Sequence, residues 1–378
     1  MNPTNSHRRR LLGGLAAAAT LPLLAGSATD AAARSTRTAS KDARLGIAIV
    51  GLGGYGSLAL ERLSQSKVAR PAGIVSGSRE KALEAAARYG IPADAVYGYD
   101  DYERLARDER IDALHLCLPV GLHVEHGLRA FAAGKHVLCE KPLAATAGEA
   151  ERMAAEASRA GRLLMPAYRA WFSDAVQDAI GRIRQGTHGR LVSVDAHKGF
   201  PMALPAGNWR FDPALSGGGC LLDIGLYSLQ LQRWCAGGLP LSVRAISHRG
   251  NDPRFAHVES DIAWVAEFAG GVLATGSASW RYRNQNRLRI GLETAWLDID
   301  PATPAMGERL RIGLDAPPRI EEPQFPLRDQ IPCMYDAFAE ACLGRRELPV
   351  PASEGIADLR MAEMVYRAAN AAPGGAHQ

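Results

Sequence analysis

A short apolar run, Leu45 to Val50, leads straight into Gly51-Leu52-Gly53-Gly54-Tyr55-Gly56, and the next residues, Ser57 to Leu63, suit a helix. A buried strand, a G-x-G-x-x-G turn and a helix in that order leave few folds open. The first glycine permits the tight turn, the second lets backbone approach a pyrophosphate, and the third lets helix and strand pack closely. The helix N-terminus then faces the anion. This stretch predicts a dinucleotide-binding βα unit, with Gly51, Leu52, Gly53, Gly54 and Tyr55 as cofactor contacts.

The alternation continues downstream. Strands read through Ala72–Val75, near Val96, through Ala113–Leu118, His136–Cys139 and Leu163–Ala167. Helices read through Lys81–Tyr89, Asp101–Arg107, Val124–Ala133 and Ala147–Ala160 between them. Such a series predicts an N-terminal Rossmann sheet, doubly wound and parallel. In an open α/β sheet ligands bind outside the carboxyl ends of the strands. A NAD site would place an acid after the second strand to hold the ribose 2′-hydroxyl. This chain has Ser76-Gly77-Ser78-Arg79-Glu80-Lys81 instead. No acid at the strand's end repels a 2′-phosphate, and Arg79 and Lys81 offer positive charge. NADP is the expected cofactor, NAD the lesser alternative, with Ser76, Gly77, Ser78, Arg79 and Lys81 at its ribose end.

Two later strand ends carry further candidates. Leu118 and Pro119 close one strand, and His123 follows, placed either to lie along the cofactor or simply to start a helix. The run from His136 ends at Glu140-Lys141-Pro142, because proline cannot donate to a ladder. Glu140 and Lys141 thus occupy the ligand rim, where a lysine can hydrogen-bond a substrate hydroxyl and the proton leaving it.

After Gly189 the period changes. Leu191–His197 alternates apolar and polar, which suits a half-exposed antiparallel strand. Strand-like runs follow at Ser242–Ile246, Ile262–Phe268, Val272–Ser279, Leu288–Ile290 and Trp296–Ile299, and helices near Ile331–Leu343 and Glu354–Asn370. These predict a C-terminal α+β domain with an open, mostly antiparallel sheet. Its uncovered face would serve a homodimer or homotetramer. Between them, Ser216-Gly217-Gly218-Gly219 leads into a helix carrying Asp223 and Tyr227, four apart and so on one face. A tyrosine beside a lysine can have its phenol pKa lowered, and so exchange a hydroxyl proton. The plainer alternative is a core tyrosine and a surface aspartate.

The N-terminus reads separately. His7-Arg8-Arg9-Arg10 precedes a mild apolar run broken by Gly13, Gly14, Pro22 and Gly26, then Ala31-Ala32-Ala33. This predicts a signal peptide over 1–33, of twin-arginine type, rather than a membrane anchor, and delivery to the periplasm. A flexible arm is expected over 34–43, a nucleotide-binding domain over 44–167, and a substrate and oligomerisation domain over 168–378, its last helix packing back on the first domain. A net charge of only +4, with no basic block in the body, gives no sign of nucleic-acid binding. The six cysteines lack metal-ligand spacing, so no metal is expected and buried free thiols are.

Gly51-Leu-Gly53-Gly54-Tyr55, Val75 to Lys81, Ala133 to Pro142 and Gly217 to Tyr227 together resemble the Gfo/Idh/MocA oxidoreductase family, and within it the glucose-fructose oxidoreductase branch. The likeness covers nearly all of residues 45–370. It implies catalytic roles for Lys141, Asp223 and Tyr227, a pocket lined by Tyr168, Arg169, Trp209 and Arg210, and tightly held NADP. Phe200 to Asn208 has no counterpart in it. The expected protein is an exported NADP-dependent oxidoreductase acting on an aldose, ketose or polyol, with ping-pong turnover on one bound cofactor. A NAD-dependent glycosidase of the same superfamily and a non-catalytic NADP- or sugar-binding protein are the alternatives.

Overall fold

Strands β1 (Leu45–Val50), β2 (Ala69–Val75), β3 (Val96–Tyr97), β4 (Ala113–Leu116), β5 (His136–Cys139) and β6 (Leu164–Pro166) form a parallel sheet in the order β3-β2-β1-β4-β5-β6. The computed structural model describes residues 44–282 and 284–370; the expected signal peptide and arm lie outside the described residues. Every residue of β1 is buried, as a central strand covered on both faces requires. The connections run through α1 (Gly54–Leu63), α2 (Arg79–Arg88), α3 (Tyr102–Ala106), α4 (His123–Ala132) and α5 (Ala147–Arg159). The last opens on a capping box in which Thr146 and Glu149 satisfy each other's backbone N–H. Strand order reverses between β1 and β4, so the chain leaves a crevice at the carboxyl ends of these two strands.

Helix α6 (Asp174–Gln185) leads into the second sheet, which holds β7 (Leu191–Gly199), β8 (Ser242–His248), β9 (Asp261–Phe268), β10 (Val272–Ser279), β11 (Gln285–Leu292), β12 (Ala295–Ile299), β13 (Leu310–Asp315) and β14 (Pro318–Glu321). The order is β14-β13-β12-β11-β7-β10-β9-β8. One pairing departs from the antiparallel expectation for Leu191–His197: β7 meets β11 antiparallel but β10 parallel. The cause is the connection after β7. It carries α7 (Pro213–Ser216) and α8 (Leu226–Ala236) across the sheet to its far edge, so the chain returns through β8, β9 and β10 with β10 running as β7 does.

Helices α9 (Gln330–Cys342) and α10 (Ala352–Asn370) tie the sheets together. Tyr335 of α9 donates to the Ala59 carbonyl of α1. Glu363 of α10 accepts from the Ala147 N–H at the start of α5, and Arg360 pairs with Glu151. The opposite face of the second sheet carries no helix among the described residues, and Ile246 and Leu273 stand 73% and 55% exposed on it.

Candidate active site

The crevice at β1 and β4 widens into a cleft of about 1240 Å³, closed on its other side by the β7–α8 segment. Its floor is built by glycines. Gly51 has φ +93°, and a Cβ there would stand 2.6 Å from the Cys117 carbonyl oxygen. A Cβ on Gly56 would stand 1.9 Å from the Gly51 carbonyl, so only glycine lets α1 start this close to β1. Gly53 and Gly54 face open space. No side chain caps α1, so its first-turn N–H groups present a partial positive charge at the cleft. This cradle fits a dinucleotide pyrophosphate.

At the end of β2, Ser76, Ser78 and Lys81 line the same cleft. The Ser76 hydroxyl accepts from the Ser78 N–H at 3.2 Å, and Ser78 in turn caps α2. Lys81 Nζ donates to the Leu52 carbonyl at 2.7 Å, which holds its charge over the glycine turn. Gly77 packs beside the Tyr99 ring. Arg79 is exposed on the first turn of α2 and is not part of the lining. The positive charge at this rim therefore comes from Lys81, a correction to the pair expected from sequence.

The opposite end of the cleft gathers residues far apart in the chain. Lys141 Nζ donates to the Asp223 main-chain carbonyl and lies 3.6 Å from its Oδ1. Arg210 Nε approaches the same Oδ1 at 3.3 Å, and its guanidinium stacks on Trp209 at 4.5 Å. The Tyr227 ring lies between three cations: Lys141 Nζ at 5.3 Å, the Arg169 guanidinium at 5.1 Å and Lys198 Nζ at 4.3 Å from its centroid. Arg169 is fixed by bonds to the Thr303 carbonyl at 2.9 Å and Gln330 Oε1 at 3.1 Å. Glu140, on the cleft wall, reaches His115, whose other ring nitrogen meets the Tyr335 hydroxyl at 2.6 Å. Burial pushes the Tyr55 phenol well above its ordinary range, with the Glu140 charge next in effect.

Asp223 sits in a π-helical turn, Leu221–Gly225, just ahead of α8. That turn starts on a buried carboxylate. Glu259, from the loop before β9, accepts from the Gly219 and Leu221 N–H groups at 3.0 Å each and from the Tyr366 hydroxyl at 2.8 Å. A carboxylate at a helix start satisfies orphan donors and suits the local dipole. Glu259 thus sets the direction in which the π turn and α8 present Asp223 and Tyr227, a role that no local pattern around Glu259 signals.

Two residues expected at the site lie beneath it. His123 is fully buried, with Nδ1 2.9 Å from the Pro142 carbonyl and Nε2 2.9 Å from that of Leu118. It braces the two strand ends that present Leu118, Pro119 and Lys141, and does not reach the cofactor cleft. Tyr168 is 1% exposed, packed by Trp234 and next to Asp358, so it is a core residue and not a substrate contact. Conversely, Lys198 and Asn208 line the cleft unforeseen. Lys198 shares the buried face of β7 with Val194 and Ala196, and a lysine on the apolar face of an alternating strand was the available signal. No cluster of three or more metal-ligating side chains exists among the described residues.

A dinucleotide cradle and a proton-handling cluster sharing one cleft is the division of labour of a nicotinamide-dependent oxidoreductase. The chain belongs to the Gfo/Idh/MocA oxidoreductase family. Residues 45–168 match its NAD-binding Rossmann-fold oxidoreductase model, and residues 176–298 match its C-terminal domain model. The structure of aldose-aldose oxidoreductase from Caulobacter crescentus complexed with glycerol superposes with a TM-score of 0.83 and 37% identity, covering 86% of this chain and 98% of that one. D-xylose 1-dehydrogenase (NADP(+)) 2 of Haloferax volcanii is 28% identical over 324 residues, 85% of this chain and 96% of the relative. A dTDP-3,4-didehydro-2,6-dideoxy-α-D-glucose 3-reductase of Streptomyces violaceoruber is 31% identical over 304 residues, covering 77% and 84% of the two chains.

Proposed function

We propose that this protein is an NADP-dependent oxidoreductase acting on the CH–OH or carbonyl carbon of a sugar or polyol. The observation that carries this reading is the Lys141–Asp223–Tyr227 cluster facing the same cleft as the glycine cradle. The carbohydrate relatives above support the substrate class. Bound nicotinamide supplies the hydride chemistry, and the chain supplies position and proton handling. Gly53, Gly54 and the start of α1 hold the pyrophosphate, while Ser76, Ser78 and Lys81 hold a 2′-phosphate. Asp223, fixed by Lys141 and Arg210, orients a sugar hydroxyl. Tyr227 takes or returns the proton of the reacting hydroxyl. Adding aldoses, ketoses and polyols in turn to the purified, NADP-loaded protein should raise the reduced-nicotinamide absorbance with at least one. Silence across the panel would overturn the reading.

The 2′-phosphate assignment has its own test. Lys81→Ala should weaken NADP binding by roughly 1.5–3 kcal/mol, the size of a charge-assisted hydrogen bond, and leave NAD nearly unchanged. Equal losses for both nucleotides would make Lys81 a prop for the Leu52 turn instead.

The protein is further read as a periplasmic enzyme carried out by the twin-arginine route with NADP already bound, and cycled by two sugars in turn as in glucose-fructose oxidoreductase. Replacing Arg8, Arg9 and Arg10 by Lys should strand the folded protein in the cytoplasm, and undiminished periplasmic delivery would refute the route. The apolar face around Ile246 and Leu273 is read as the seat of a homodimer or homotetramer. A monomer mass by light scattering would rule that out.

A further inference from the structure

Lys198 is the cation nearest the Tyr227 ring, at 4.3 Å from its centroid, and lines the cleft from the last turn of β7 before the chain departs. Its nitrogen is tied on one side. It donates to Thr303 Oγ1 and, at 3.3 Å, to the Thr303 carbonyl. Thr303 is itself held, since its hydroxyl donates to Asn286 Oδ1 at 2.8 Å and the same oxygen accepts the Thr303 N–H at 3.0 Å. An amine carries two hydrogens and a lone pair, and an ammonium carries three hydrogens. With two donors committed to Thr303, one valence remains at Nζ. It is a lone pair on the amine and an N–H on the ammonium, and the cleft beside Tyr227 is where it can act.

We infer that Lys198 is the proton reservoir of this site: it takes up, as an amine, the proton that Tyr227 receives from the substrate hydroxyl, and as an ammonium it returns one in the reverse direction. The inference rests on the oxidoreductase reading above. The bond changes balance within the chain. As the hydroxyl O–H breaks, an O–H forms on Tyr227, the original phenol proton leaves, and an N–H forms at Lys198 Nζ. Nζ stands over the ring face, 4.3 Å from its centroid, so the hop to it from the phenol oxygen requires a bridging solvent molecule. A phenol that receives the substrate proton must hand its own on to an acceptor.

The surroundings set the working pH of such a reservoir. The charged and titratable groups facing Lys198 are Lys141 at the end of β5, Arg169 after β6, Asp223 in the π turn and Tyr227 on α8. Burial lowers the Lys198 pKa first, the Arg169 and Lys141 charges lower it further, and Asp223 opposes them, leaving it at about 7. The amine form therefore dominates above that pH and the ammonium below it. Sugar oxidation should speed up as pH rises through about 7, and carbonyl reduction should slow over the same range.

The test uses the NADP-loaded full chain and two variants, Lys198→Met and Lys198→Arg. The wild type should show the two opposed profiles in single-turnover measurements. Both variants should lose the inflection, with rates below the wild-type plateau by about 100-fold, the lower end of the range for a positioned proton carrier. In protein with isotope-labelled lysine, one side-chain nitrogen should titrate near neutrality and vanish from the Lys198→Met spectrum. An inflection that survives in both variants overturns the inference, as does the lack of any lysine titrating in that range. If no sugar turns over in the wild type, the oxidoreductase reading fails, and the labelled-lysine titration still decides whether Lys198 exchanges a proton.

Discussion

Tyr227→Phe should slow single-turnover reduction of bound cofactor by an active sugar by a factor of about 10²–10⁴, the usual loss with a positioned acid–base group. Cofactor binding should persist, because Tyr227 lies at the end of the cleft away from Ser76 and Lys81. Phenylalanine keeps the ring against its three cationic neighbours and removes only the oxygen that carries the proton. Lys141→Met should cost at least as much. It removes the donor to the Asp223 carbonyl and leaves the Asp223 carboxylate with Arg210 alone. The double variant should lose far less than the product of the two, since groups acting as a unit are non-additive. A near-normal rate in Tyr227→Phe would falsify the tyrosine's role and move proton transfer onto Lys198 or Lys141.

Arg233→Met should destabilise the fold by roughly 3–5 kcal/mol, the cost of leaving a buried charge without its partner. Arg233 of α8 donates to Asp358 at 2.8 Å and pairs with Glu354, both on α10, and Asp358 is fully buried. This pair holds α10 against the helix that carries Tyr227. Burial raises the Asp358 carboxyl to about 6, with Arg233 opposing the rise. A carboxyl raised in the folded state favours folding below its unfolded pKa, and that contribution declines as pH rises through the folded value. Without Arg233 the folded value climbs further, so the decline extends to higher pH. Arg233→Met should thus lie nearer the wild type at pH 5 than at pH 8 in chemical denaturation. Pairing it with Asp358→Leu should recover part of the loss at pH 8. A deficit below about 1 kcal/mol at both pH values would show that water or a neighbour already satisfies Asp358.

What could be read from the sequence was what short stretches decide for themselves. Strand, glycine turn and helix at residues 45–63 are local, and a Cβ at Gly51 or Gly56 meets backbone within the same unit or the adjacent strand end. The βα alternation fixed the parallel sheet and the rim bearing Glu140 and Lys141. The spacing of Asp223 and Tyr227 set them about one turn apart, although the structure puts Asp223 in a π turn and Tyr227 at the start of α8. The alternation in β13, with Leu310 and Ile312 buried, is likewise a local pattern, as is the apolar face of α6.

Tertiary structure decided the rest, because it depended on residues distant in sequence meeting. His123 and Tyr168 have the composition of site residues, but packing buried one between two strand ends and the other beside Asp358. Arg79 and Lys81 look equivalent in sequence, yet the turn of α2 points only Lys81 back over Leu52. The parallel pairing of β7 with β10 follows from an excursion of some forty residues whose path no local pattern records. Lys198 owes its charge state to burial first and then to Arg169, Lys141 and Asp223, and its direction to Thr303. An ionisable group's chemistry is set by the dielectric and charges around it, and the fold alone assembles these.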